Sequence, residues 1–185
     1  MLKFIYGVMG SSKTAQALMT KFNYEQSGYN VLLLKPAIDT RSTSVKSRIG
    51  LKAKCISFKR DENLLEIPFP IEESELSKTI MIVDEVQFCT KEQIEQLHKI
   101  SRLINVFCYG LKTNFKTELF EGSKRLLEIA DEIKEISHIC KCGNQANINA
   151  LYKDGKLVTD GEEIQIGDTE YKAVCYNCWE DERTL

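Results

Sequence analysis

Leu2-Lys3-Phe4-Ile5-Tyr6-Gly7-Val8-Met9-Gly10-Ser11-Ser12-Lys13-Thr14 runs from an apolar segment, through a loop of small residues, to a lysine-threonine pair. A continuous apolar run ended by glycine reads as a strand buried on both faces. Behind the loop, Thr14 to Ser27 carries Ala15, Leu18, Met19 and Phe22 at helical spacing and stops at Gly28, so a helix follows the loop directly. Small residues between a strand and a helix turn successive backbone N–H groups and the positive helix end toward one point, which suits a phosphate chain. In such a loop Lys13 reaches the outer phosphates and the Thr14 hydroxyl ligates Mg²⁺. Gly7, Val8, Met9, Gly10, Ser11, Ser12, Lys13 and Thr14 are therefore the candidate site for ATP with Mg²⁺. Ser12 stands where the usual pattern has glycine, and a positive φ there would strain it.

Working outward, Asn30 to Lys35 is a second buried run ended by Pro36, Thr79 to Val83 a third and Ile104 to Tyr109 a fourth, with a helix over Lys91 to Arg102. Strands alternating with helices imply an α/β fold: a P-loop NTPase-type parallel sheet flanked by helices. Residues 40 to 50 have no apolar period and are rich in Ser, Thr and basic side chains, the expectation being a mobile loop. Glu121 to Ile129 has helical pattern. After Ile139 the pattern breaks into short pieces with Gly at 143, 155, 161 and 167. The expected division is a P-loop ATP-binding α/β domain over 1–138 and a small zinc-ribbon-like module over 139–185.

The 185 residues suffice for one full domain and a small appendage. With 25 Lys+Arg against 27 Asp+Glu, the chain lacks the positive excess that drives binding to phosphate backbones, and nucleic acid is not expected as a partner. The apolar start is too short for a signal peptide or a membrane span, so a cytoplasmic location is expected. Seven cysteines, an odd count, point to reduced thiols rather than disulfides.

The Thr79 to Val83 strand ends in Asp84-Glu85, where a P-loop enzyme keeps the acid that holds its metal. Asp84 is the Mg²⁺ partner on this reading, and Glu85 suits a general base taking a proton from the attacking oxygen. That oxygen belongs to a substrate hydroxyl or to water, and the dipeptide does not choose between them. Asp39 and Arg41 follow the second strand at the mouth of the sheet. Arg41 is placed to neutralise the transferring phosphoryl group, and Asp39 to hold a sugar hydroxyl or the metal shell. Lys46 and Arg48 are weaker candidates, equally readable as loop charges in solvent.

Cys140-Lys141-Cys142, 32 residues, then Cys175-Tyr176-Asn177-Cys178 makes a four-thiolate set that suits a closed, structural Zn²⁺ site. The first pair is one residue shorter than the usual knuckle, and His138 offers a substitute ligand. Cys55, Cys89 and Cys108 read as core or near-core thiols, and His98 as a solvent-facing helix residue.

Gly7 to Thr14, Lys35-Pro36-Ala37-Ile38-Asp39-Thr40-Arg41, Asp84-Glu85-Val86-Gln87-Phe88, Cys108 to Phe115 and the cysteine module together resemble the cellular-type thymidine kinases. The resemblance implies a homotetrameric, ATP-dependent kinase that makes thymidine monophosphate for salvage, accepts deoxyuridine as well, and has Glu85 as catalytic base. It places Gln87 with the nucleotide-binding residues. It also implies that the segment between the cysteine pairs is a lasso closing over thymine, with Ile164, Gln165, Ile166 and Gly167 where its backbone meets the base. Tyr171 matches a nucleoside-contacting tyrosine, Phe115 an aromatic that contacts the base, and Met9 a residue near the thymine methyl. With Phe88, these aromatics could build an apolar slot that excludes water. The alternative is a zinc-containing P-loop ATPase acting on nucleic acid or a protein partner.

Overall fold

In chain order the elements are β1 (Leu2–Tyr6), α1 (Lys13–Gln26), β2 (Asn30–Pro36), β3 (Ser44–Lys46), β4 (Lys52–Lys54), β5 (Ile56–Phe58), β6 (Thr79–Val83), α2 (Lys91–Ile100), β7 (Asn105–Gly110), α3 (Glu121–Ile129), β8 (Glu132–Glu135), β9 (Ile148–Lys153), β10 (Lys156–Val158), β11 (Glu170–Val174) and α4 (Tyr176–Arg183). Six of the strands form one parallel sheet in the order β5-β2-β6-β7-β1-β8. The computed structural model describes residues 1–37, 43–69, 72–161 and 170–184.

Alternation along the central strands divides the core. On β6 every residue is buried. Met81 and Val83 pack with Leu2, Phe4, Ile94, Leu97 and Leu126 on the side covered by α2 and α3. Ile80 and Ile82 pack with Ile5, Ala17, Leu18 and Phe107 under α1. Each such side chain contributes roughly 1.5–3 kcal/mol by leaving water, so the central register is strongly fixed. Helix α2 is started by a capping box in which the Gln93 N–H donates to Thr90 Oγ1 and the Thr90 N–H to Gln93 Oε1, both at 3.1 Å.

Three expectations change. Met19 and Phe22 lie on the outer face of α1, 55% and 60% exposed, because the buried side of that helix is filled by Ala15, Ala17 and Leu18. Within residues 40 to 50, the part from Ser44 onward is not a loose loop: β3 pairs antiparallel with β4. Val45 is buried against α1 residues, and the turn is closed by the Ser47 hydroxyl accepting from the Leu51 N–H at 3.0 Å. His98 is half-buried rather than solvent-facing. A strand without a sequence signal also appears. All four residues of β8 are exposed, and it is held beside β1 by its backbone and by the Lys3–Glu132 ion pair at 2.6 Å.

The segment from residue 139 builds a three-stranded antiparallel sheet, β10-β9-β11, joined at one end by an Asp154-Gly155 turn with both φ positive, as two-residue hairpins favour. Its apolar core of Cys140, Ile148, Ala150, Tyr152, Val174 and Trp179 also takes in Val8 of the phosphate loop.

Candidate active site

All six strands of the main sheet run the same way, so the carboxyl ends of β1 and β6 open onto one rim although β7 lies between them. That geometry brings Thr14 to Asp84: the hydroxyl donates to the carboxylate Oδ2 at 3.1 Å. Between β1 and α1 the loop curls through two residues of positive φ, Gly10 at 82° and Ser12 at 59°. Ser12 therefore does adopt the left-handed conformation, at a cost of about 1 kcal/mol for a residue bearing Cβ. Its hydroxyl donates to the Ser11 carbonyl at 2.7 Å.

Lys13 is buried, and its Nζ donates to the Val8 carbonyl at 2.8 Å. Burial lowers its pKa to about 8, against the pull of Glu85 and Asp84 and with the help of Arg48. Asp84 is raised to about 6, first by burial and then by the charge of Glu85, while hydrogen bonds from the Thr14 hydroxyl and the Glu85 N–H pull it back. The Thr14 hydroxyl and the buried Asp84 carboxylate are hard oxygen donors of the kind a Mg²⁺ ion accepts, and a cation would relieve the cost of ionising Asp84. Lys13, Thr14 and Glu85 line a cavity of about 250 Å³ together with Lys46 and Arg48. The two basic residues thus face the phosphate loop from the β3–β4 hairpin, a stronger placement than solvated loop charges. The alternation of Ser44-Val45-Lys46 and Lys52-Ala53-Lys54 around Gly50 was the available signal.

Glu85 holds φ 56° and ψ 36°, another strained position, and its carboxylate accepts from Gln87 Nε2 at 2.6 Å. The Gln87 Oε1 in turn accepts from the Leu111 N–H at 3.1 Å, and the side chain is 2% exposed. A Cβ at Gly110 would stand 2.6 Å from that Oε1, so glycine there makes room for the amide. Gln87 consequently serves Glu85 in this structure and does not line the cavity.

Phe88 is half-buried with its ring 5.7 Å from Phe120 in a T-shaped contact. Phe115 is fully buried, and Tyr171 is half-buried on β11 opposite Leu151. Asp39, Arg41 and the stretch Ile164-Gln165-Ile166-Gly167 lie outside the described residues.

The Sγ atoms of Cys140, Cys142, Cys175 and Cys178 lie within 4.8 Å of one another, and Cys142 and Cys175 approach to 3.5 Å. Thiolates 2.3 Å from a tetrahedral ion stand ~3.8 Å apart, so the cluster can bind a metal ion. The shorter first knuckle closes because Gly143 takes φ 89° and its N–H donates to the Cys140 carbonyl at 2.9 Å. Backbone N–H groups of Cys142 and Cys175 hold the Cys140 thiol down to about 6, readying a thiolate. His138 stays outside the thiol cluster: its ring lies against Gly10. Cys89 and Cys108 are buried with raised pKa values, and half-buried Cys55 is raised as well, as burial dictates for core thiols.

A strand–loop–helix junction with a buried lysine, a hydroxyl paired with a buried carboxylate, and a second carboxylate lining the adjoining cavity have the form of a P-loop phosphotransferase. The family model described as thymidine kinase matches residues 1–179. A thymidine kinase of Enterobacteria phage T4 is 40% identical over 185 residues, covering 97% of this chain and 95% of the relative. Those of Mannheimia succiniciproducens and Shewanella oneidensis are 41% and 40% identical, each over 94% of this chain and covering 92% and 93% of their own lengths. The chain belongs to the thymidine kinase family, and is an ATP-dependent nucleoside kinase.

Proposed function

We propose that the chain transfers the γ-phosphoryl group of ATP to the 5′-hydroxyl of thymidine, and of deoxyuridine, giving the monophosphate. The observation that carries this reading is that Lys13, Thr14 and Glu85 line one cavity, with buried Asp84 hydrogen-bonded to Thr14 behind its wall. Glu85 takes the proton of the acceptor hydroxyl as the oxygen bonds to phosphorus and ADP leaves. Lys13, Lys46 and Arg48 offset the charge on the phosphates. Thr14 and Asp84 would hold Mg²⁺, which would offset negative charge on the transferring phosphoryl group. Phe88, Phe115 and Tyr171 are assigned to the nucleoside slot, and Met9 to its edge.

The four thiolates are assigned to structural Zn²⁺, which has no open position when so ligated. Residues 1–138 act as the ATP-binding domain and residues 139–185 as the module that covers the nucleoside. The location proposed is the cytoplasm; among the described residues no helix is long and apolar enough to cross a membrane. The assembly proposed is a homotetramer. A coupled ADP-release assay across a nucleoside panel tests the reaction: ADP appears only with thymidine or deoxyuridine, and Glu85→Gln abolishes turnover while ATP still binds. Nucleoside-independent hydrolysis, or stimulation by DNA or RNA, would favour the ATPase instead.

A further inference from the structure

Asn149 lies on β9 of the cysteine-bearing module, 140 residues from the phosphate loop, yet its side chain joins the two. Its Oδ1 accepts from the Met9 N–H at 2.7 Å, and its Nδ2 donates to the Thr113 carbonyl at 3.0 Å. Only 2% of the residue is exposed, so neither bond has water as a substitute. An amide is the side chain that supplies one acceptor and one donor at this length, and the partners fix which end is which.

The Met9 N–H belongs to the same planar peptide unit as the Val8 carbonyl. Because that unit is rigid and trans, holding its N–H on one side sets the direction of its C=O on the other. The Val8 carbonyl is the group that accepts from Lys13 Nζ at 2.8 Å and from the Ser11 N–H at 3.2 Å. The Val8 side chain is meanwhile fixed among Cys140, Ile148 and Trp179. On β11, Ala173 pairs with Asn149, two residues before Cys175. A short, continuous path therefore runs from the thiol cluster through β11 and β9 to the lysine of the phosphate loop.

We propose that Asn149 is a positioning residue for Lys13, acting through the Val8–Met9 peptide, and that it makes the cysteine-bearing module a structural part of the ATP site. This rests on the phosphate loop being the ATP site. Without Asn149 the peptide is free to rotate, and the Val8 carbonyl no longer holds Lys13 where it receives the phosphates.

The test is a double-mutant cycle read by calorimetric binding of a non-hydrolysable ATP analogue with Mg²⁺. Asn149→Leu is expected to weaken binding about tenfold, equivalent to ~1.4 kcal/mol. On a Lys13→Met background, Asn149→Leu should cost nothing further, whereas a merely structural role would cost the same on both backgrounds. Equal affinity of wild type and Asn149→Leu, or additive losses in the cycle, overturns the inference. Should wild type itself not bind the analogue, it is the ATP-site reading that fails. Site-resolved hydrogen exchange then decides the inference separately, as it does if Asn149→Leu does not fold. The Met9 amide of the wild-type protein is expected to be protected, and free exchange there overturns the proposal.

Discussion

Replacing Gln87 with leucine should slow turnover while leaving ATP binding nearly intact. Gln87 is 2% exposed and makes two bonds, one to the Glu85 carboxylate at 2.6 Å and one from the Leu111 N–H at 3.1 Å. Leucine fills similar space but can neither donate nor accept. The Leu111 N–H loses its partner, at about 1–3 kcal/mol, and a hydrogen bond to a charged group worth about 1.5–3 kcal/mol disappears. Glu85 is half-buried and recovers part of the second quantity from water, so the expected loss of stability is about 2–4 kcal/mol. The kinetic effect has a different origin. Glu85 sits in a strained backbone conformation, φ 56°, and the Gln87 amide is the side-chain bond that aims its carboxylate. A base misplaced by about 1 Å can cost ~100-fold, so kcat should fall roughly 10–100-fold. The KM for ATP should change less than about threefold, since no phosphate contact is touched. Steady-state ADP release at saturating thymidine, beside a denaturant titration, measures both quantities. A kcat within about twofold of wild type in a folded variant would refute the tether between Gln87 and Glu85.

Four further outcomes follow from the same geometry. Ser12→Gly should raise stability by about 0.5 kcal/mol, relief of the left-handed conformation outweighing the entropy glycine adds to the unfolded chain; a lowered denaturation midpoint speaks against it. Gly122→Ala places a Cβ 2.7 Å from the carbonyl oxygens of Val86 and Cys89, which are backbone and yield little, so a loss of about 1–3 kcal/mol is expected, and an unchanged melting temperature would contradict the close approach of α3. Affinity for an ATP analogue should decline as pH rises above 8: Lys13 has its pKa lowered to about 8 by burial, phosphates favour its charged form, and binding above that pH requires proton uptake. Affinity flat from pH 8 to 10 would refute that assignment. Stripping metal with a chelator, or Cys175→Ser, should open residues 139–185 to proteolysis; unchanged cleavage would show that the thiol cluster does not staple the module.

Much of this protein is legible in the order of its residues because its central strands are buried on both faces and therefore written as unbroken apolar runs. Thr79 to Val83 is the plainest case, and the residues that follow it, Asp84-Glu85, inherit their position from it. The loop from Gly7 to Thr14 and the paired cysteines are local patterns whose chemistry needs fixed spacing, and they too were readable. The polar edge strand Glu132–Glu135 was not, since it is held by backbone pairing that imposes no apolar period. The basic face of the β3–β4 hairpin is faint in the sequence for a related reason: three-residue strands carry too little pattern to announce themselves. Ser12 shows the division within a single residue. Sequence marked it as a departure from glycine, and only the fold showed that it takes the positive φ. Gln87 and Asn149 lay beyond sequence reasoning altogether in their roles, because each acts on a group brought near by the parallel sheet and the docked module. The chain by itself determined the elements and the chemistry on offer; tertiary structure decided which distant polar groups meet, since a buried amide finds its partners through space rather than along the chain.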